Sequence, residues 1–276
     1  MEINSTPTIL KMSDKSLKIA LNARLSALRM TNTAKSAHIG SSLSVIDILA
    51  VLFGDILCLL PDKLKSDCII VSKGHAAAGT YAVMAHAGLI PIELLETFGV
   101  NGSILGGHVT HNENPTIELS TGSLGHGLPY GIGVAYSQLK SGLNNKTFVV
   151  MSDGECDEGT TWESALMANH FKLKNLIVII DRNRIQSLSG TENVLSLEPL
   201  AEKWRAFNWK VLTINGHSHL QLANSFSNID GPLCIIADTI KGKGVSFMEN
   251  QVLWHYRPPS NEELALAINE IEDGLE

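Results

Sequence analysis

The chain has no block of lysine or arginine, few aromatic residues (5%) and no uninterrupted apolar stretch long enough to cross a bilayer. With 21 Lys and Arg against 28 Asp and Glu, the formal net charge is −7. Neither a polynucleotide nor an anionic membrane is therefore expected as a partner, and any bound phosphate has to be held locally. The most apolar long stretch, Leu43 to Leu60, is interrupted by Asp47 and Asp55, so no transmembrane helix is predicted. Met1 to Lys15 is polar and lacks the basic segment, apolar run and cleavage site of a secretory signal, which makes a cytoplasmic location the expectation. Cysteine is also scarce. Cys58, Cys68, Cys156 and Cys234 are too sparse for a disulfide scaffold and lack paired metal-ligand spacing, so they are expected as mostly buried, reduced thiols.

What is present is a chain of 276 residues, 44% hydrophobic, enough for one large α/β domain or two small ones. Helical spacing from Leu17 through Ile19, Leu21, Leu25 and Leu28, and again from Leu43 through Ile46, Leu49 and Phe53, predicts two opening helices. Branched apolar runs at Cys68 to Val71, Thr147 to Met151, Leu176 to Ile180, Val211 to Ile214 and Leu233 to Ala237 predict buried parallel strands. Helical patterns lie between them at Ala76 to Ala87, Leu128 to Leu139, Trp162 to Phe171 and Leu220 to Phe226. This alternation predicts an α/β fold: a doubly wound, mostly parallel sheet flanked by helices. Asn101 to Ser123, long and rich in Gly and His, reads as a ligand-binding loop. Pro258 to Glu276 reads as a proline pair followed by a short acidic helix, expected to be solvated. Trp162 and Leu166 are expected in the core, and His86, His170, His217 and His219 as surface or satisfied core groups.

The strand ending in Ser152, Asp153 and Gly154 places a carboxylate and a small residue at the carboxyl edge of the sheet, where open α/β folds bind ligands. The next strand ends in Asp181, Arg182 and Asn183, so Asp153 and Asn183 are expected to project into one crevice. A carboxylate and an amide oxygen suit a hard cation such as magnesium, which is often held by few protein ligands together with phosphate oxygens. The cation would supply positive charge that the acidic chain lacks, and the Gly154 amide could approach a phosphate unobstructed. Taken singly, Asp153 is as readily a helix cap and Asn183 a turn residue.

Ser152-Asp153-Gly154 followed thirty positions after the Asp by Asn183 resembles the thiamine-diphosphate signature that begins Gly-Asp-Gly and ends in Asn. Four further segments resemble the transketolase branch of that superfamily, in its order: Val71 to Ala76 (VSKGHA), Gly106-Gly107-His108, Ser120 to Gly127 (STGSLGHG) and Lys241 to Val245 (KGKGV). The resemblance implies the diphosphate domain of a transketolase over 1–256 with a C-terminal helical tail at 257–276. It implies thiamine diphosphate and Mg2+, with Ca2+ or Mn2+ as substitutes, and Asp153, Asn183 and the Ile185 carbonyl as metal ligands. Cofactor contacts are implied at His75, Gly122, Ser123, Leu124, Gly154, Glu155, Asn183, Ile240, Lys241 and His255. His38, His75, His108 and His255 are implied in catalysis, with Glu158 in a carboxylate network linking two cofactor sites. Because the cofactor's thiazolium carbon is the nucleophile, the protein needs positioning and proton transfer, work suited to histidine.

Three departures from the pattern stand out: Ser152 in place of the first Gly, His38-Ile39-Gly40 for His-Pro-Gly, and His126 for the Gln of many full-length members. The Ser152 hydroxyl is expected either to crowd or to hydrogen-bond the diphosphate. No candidate appears for the pyrimidine-domain Glu that activates the cofactor. The resemblance therefore implies a second chain, a C-terminal-half transketolase subunit carrying the pyrimidine-binding domain, in an α2β2 heterotetramer that handles sugars or sugar phosphates. Two alternatives stay open: an α-subunit of a 1-deoxyxylulose-phosphate-synthase-like or 2-oxoacid enzyme, and a catalytically silent assembly subunit.

Overall fold

The branched apolar runs form the strands expected of them, in a computed structural model that describes residues 14–111, 114, 116–227 and 231–274. The polar opening segment, part of the Asn101 to Ser123 loop and the last two residues of the tail lie outside these. Strands β1 (Cys68–Val71), β2 (Thr147–Ser152), β3 (Leu176–Arg182), β4 (Lys210–Asn215) and β5 (Leu233–Asp238) make one all-parallel sheet in the order β1-β2-β3-β5-β4. Several strands run past their apolar stretch into polar residues, because the ladder is made by backbone groups: Ser152 pairs with Asp181, and Arg182 with Asp238.

The helices are α1 (Asp14–Ala34), α2 (Ile39–Val51), α3 (Ala77–His86), α4 (Gly127–Lys140), α5 (Gly159–His170), α6 (Thr191–Val194), α7 (Leu200–Ala206), α8 (His219–Ser225) and α9 (Asn261–Asp273). Strand alternation sends Val71, Phe148, Val150, Ile177, Ile179 and Ile235 to one face, packed with α1, α2, α3, α8 and α9. Ile70, Val149, Met151, Val178, Ile180 and Ile236 pack on the other with α4, α5 and α7. Both faces are covered, which is why the central strands are apolar throughout and not alternating.

With the π-helical turn that extends α2, Ile39 to Ile56 is an 18-residue helix of mean hydropathy 1.8, long and apolar enough by composition to cross a membrane. It is 83% buried within the fold and serves as its central core helix. Asp47 is tolerated there because Arg24, His217 and His219 all bond its carboxylate. Burial would raise its pKa, but the Arg24 charge and these bonds outweigh burial and hold it well below the usual carboxylate range.

Two expectations are corrected. The tail helix α9 is not simply solvated: Leu264, Ala267 and Ile271 form an apolar stripe against the core, and Asn32 Nδ2 donates to the Pro259 carbonyl at 2.9 Å. Leu166 is 59% exposed, because α5 buries Thr161, Ser164, Ala165 and Ala168 and so turns Leu166 outward. Trp162 does pack inward, its ring stacked on Phe207 at 5.7 Å. Cys68, Cys156 and Cys234 are buried free thiols, and Cys58 is exposed.

Candidate functional site

At the carboxyl edge of the sheet, a cavity of about 200 Å³ gathers side chains from six separate segments of the chain. His38 and Ser41 come from the start of α2, His75 from the turn before α3, and His108, Gly122 and Leu124 from the long loop. Ser152, Asp153 and Gly154 come from the end of β2, Asn183 to Ser187 (apart from Arg184) from the end of β3, and Lys241 and His255 from beyond β5. Larger cavities of about 430 and 490 Å³ lie elsewhere, but neither brings histidines together.

Four imidazoles converge here: the His38 ring lies 5.6 Å from His75, 5.5 Å from His108 and 4.7 Å from His255. His38 sits in the left-handed region (φ 71°), and its amide donates to the His255 carbonyl at 3.1 Å, which ties the two together. Burial pulls the pKa of His38 down to about 4, helped by His108 and Lys241, and that of His255 to about 3, helped by Lys241. His75 is held well below its usual value by burial and the Lys73 charge. These three rings are uncharged at neutral pH, so each can both accept and donate a proton.

The oxygen donors face the same cavity. Asp153 Oδ2 accepts from the Arg184 amide at 2.7 Å and from Arg182 Nη1 at 3.2 Å, while Oδ1 accepts only from the Gly154 amide at 2.8 Å. Asn183 Oδ1 accepts from the Ile185 amide at 3.1 Å, and Asn183 Nδ2 donates to Ser44 Oγ at 3.3 Å. The Ile185 carbonyl accepts from Lys241 Nζ at 3.2 Å, so it already faces a cation. Among the described residues, no group of three or more His, Cys, Asp or Glu is placed to hold a metal by itself. One carboxylate and two neutral oxygens suit instead a hard cation that takes its remaining ligands from phosphate. A Cβ at Gly154 would meet only Gln186, at 3.4 Å, so the fold does not require glycine there; the room it leaves belongs to the cavity. Gly122 is required by the fold: at φ 147° its Cβ would lie 2.9 Å from the His108 ring.

Positive charge is concentrated at this edge despite the acidic chain. Lys73, Arg182 and Lys241 are all buried. Lys241 has its pKa lowered to about 8, by burial and then by Lys73. Lys73 forms an ion pair with Asp181, both side chains fully buried, and Asp181 also accepts from Ser44 Oγ at 2.6 Å and from Thr239 Oγ1.

Of the residues expected at the site, His38, His75, His108, His255, Gly122, Leu124, Asp153, Gly154, Asn183, Ile185 and Lys241 share the cavity. Ser123, Ile240, Glu155 and Glu158 do not line it. The Glu155 carboxylate is buried and fully engaged, accepting from Ser72 Oγ, the Gly125 amide and the Ser152 amide and hydroxyl, so it braces three segments and is not free for a cofactor. The Ser152 hydroxyl is thereby committed to Glu155 in a capping box, neither crowding nor bonding a ligand. Glu158 is exposed at the start of α5, packed beside Gly125. Ser123 is exposed beside His126, and Ile240 lines a neighbouring cavity, its amide donating to His217 Nε2 at 2.9 Å. Ser41, Gln186 and Ser187 were not singled out from sequence, and nothing in their local pattern marks them.

Residues 16–271 match the family described as transketolase, thiamine diphosphate binding domain. One of the two subunits named for apulose-4-phosphate transketolase in Phocaeicola vulgatus is 42% identical over 250 residues, covering 88% of this chain and 89% of that one. A 6-deoxy-6-sulfo-D-fructose transketolase subunit from a Clostridium species is 35% identical over 242 residues, covering 85% and 88%. The crystal structure of transketolase from Campylobacter jejuni superposes with a TM-score of 0.87 at 27% identity; the match covers 94% of this chain but only 43% of that longer one. With nearly its whole length matched, and with relatives of similar size well above 30% identity, the chain belongs to the transketolase family as its thiamine diphosphate binding domain.

Proposed function

We propose that this chain is the diphosphate-binding subunit of a two-chain transketolase, moving a two-carbon ketol unit from a phosphorylated or otherwise modified ketose to an aldose acceptor. The observation that carries the reading is the single cavity shared by Asp153, Asn183, the Ile185 carbonyl and four histidines. Relatives of similar length are named as transketolase subunits, which supports a separate pyrimidine-domain chain and an α2β2 assembly.

Asp153, Asn183 and the Ile185 carbonyl would hold Mg2+, or Ca2+ or Mn2+ in its place, and the Gly154 amide and the Lys241 ammonium would face diphosphate charge. Bound thiamine diphosphate supplies a carbon nucleophile for a ketose carbonyl. The chain's own part is positioning and proton handling. His38, His75 and His255, kept uncharged by burial, can accept a sugar hydroxyl proton and return it; an imidazolium could only donate. His108, on the loop opposite His38, is placed to hold a donor oxygen.

The test is to purify the chain with its partner subunit, titrate thiamine diphosphate with and without Mg2+ by calorimetry, and compare ketose with 2-oxoacid donors. Magnesium-dependent uptake and ketose turnover are expected. Uptake with turnover of 2-oxoacids alone would move the chain to another branch of the superfamily, and no uptake would leave a silent role in assembly.

A further inference from the structure

We propose that Arg182 is a positioning residue that pins one oxygen of Asp153 so that the other, Oδ1, is the single oxygen offered to a cation. The inference rests on the reading of Asp153 as the magnesium carboxylate and goes beyond it in naming which oxygen binds and what aims it.

Arg182 ends β3, yet its side chain is only 2% exposed. Its Nη1 reaches Asp153 Oδ2 at 3.2 Å and Thr191 Oγ1 at 2.7 Å. Nη2 reaches outward to two carboxylates, Glu192 at 3.1 Å and Glu198 at 2.9 Å. The guanidinium is thus a strut, with a cavity carboxylate at one end and two partly exposed acids at the other. Its Nε is buried without a partner, so the fork is oriented by these Nη contacts at the expense of its third donor.

The consequence for Asp153 follows from counting lone pairs. Oδ2 already accepts two hydrogen bonds, from Arg182 and from the Arg184 amide. Oδ1 accepts one, from the adjacent Gly154 amide, and keeps a lone pair free. A carboxylate held in this way can bind a cation through one oxygen only, and cannot turn to chelate through both without breaking the Arg182 bond. One protein carboxylate oxygen, with two neutral oxygens, leaves room for phosphate oxygens and water around a small octahedral ion. Without Arg182, Asp153 would keep only backbone partners, and its carboxylate could rotate.

The experiment is a calorimetric Mg2+ titration at saturating thiamine diphosphate, on the chain with its partner subunit, for wild type, Arg182→Met and Arg182→Lys. Removing an outer partner of a metal ligand typically lowers metal affinity by about tenfold or more, and that loss is expected for Arg182→Met. Arg182→Lys, which keeps the charge but cannot span both ends, should recover part of it. Wild-type Mg2+ affinity in folded Arg182→Met would overturn the proposal, as would a structure of the loaded protein with both Asp153 oxygens on the metal. Should Arg182→Met not fold, the double variant Glu192→Gln, Glu198→Gln releases the outer end of the strut at sites 42% and 52% exposed. A measurable rise in its Mg2+ Kd is expected, and none would overturn the strut. Failure of the wild-type pair to take up Mg2+ would overturn the cofactor reading itself and the Arg182 role with it, and it is read on wild type alone.

Discussion

Lys73→Met should be far more damaging than its chemistry suggests, and adding a second substitution should largely undo the damage. Lys73 and Asp181 are both fully buried and paired beneath the cavity floor. Methionine matches the length of the lysine stem but leaves Asp181 as an uncompensated buried carboxylate, a change that typically costs about 3–5 kcal/mol. Two hydroxyls, from Ser44 and Thr239, still donate to Asp181. They place the expected loss near the lower end, about 3 kcal/mol, a large share of the ~5–15 kcal/mol that holds a typical domain together. In a chain of this size that corresponds to a fall in Tm of roughly 6–12 °C. Lys73→Met with Asp181→Asn removes both charges and should return to within about 1 kcal/mol of wild type, since a buried pair contributes little net stability over neutral replacements. The assay is urea unfolding, followed by far-UV circular dichroism, of both single variants and the double. A double variant whose loss equals the sum of the singles would refute the reasoning, as would a Lys73→Met loss under about 1 kcal/mol.

Asp153→Ala should abolish tight magnesium-dependent uptake of thiamine diphosphate while leaving the circular dichroism spectrum unchanged, because Arg182 keeps Thr191, Glu192 and Glu198; calorimetry on the reconstituted pair reads it, and unchanged affinity would remove Asp153 from the metal. His108→Ala should spare cofactor affinity and lower kcat/KM for the ketose by about tenfold or more, whereas a matching loss of cofactor affinity would put His108 in the wrong role. Gly122→Ala, forced into φ 147° and against the His108 ring, should cost about 1–3 kcal/mol in unfolding experiments and reduce turnover along with it. Stability should also fall on acidification: His38, His75 and His255 all have folded-state pKa values below 6.5, so the unfolded chain binds protons first. Full stability above pH 6.5 is lost as pH drops toward about 4 for His38 and about 3 for His255. Discounted for the partial exposure of these two rings, the loss between pH 7.5 and 5 is roughly 2 kcal/mol, and a flat urea midpoint over that range would contradict it.

The strands were legible because a sheet covered on both faces demands apolar side chains at successive positions, as in Leu176 to Ile180. Their polar extensions through Ser152, Arg182 and Asp238 were not, since a ladder of backbone bonds carries no side-chain signature. Helix α7 escaped notice because it is only seven residues long, and Leu166 was assigned to the wrong side of a correctly expected helix. Periodicity locates a buried stripe only when its members are large, and α5 buries Thr, Ser and Ala.

Local order in the sequence by itself determined the alternation of strands and helices, the family, and the placing of Asp153, Gly154 and Asn183 at neighbouring strand tips. Those features depend on short stretches whose chemistry is contiguous. Only the tertiary structure decided that β5 lies between β3 and β4, that Glu155 is spent bracing Ser72 and Gly125, and that Lys73, Arg182 and Lys241 make a basic floor in an acidic chain. Each of these joins residues distant along the chain, and the energies that select them, strand pairing, desolvation and the pairing of buried charges, exist only once the backbone has closed around them.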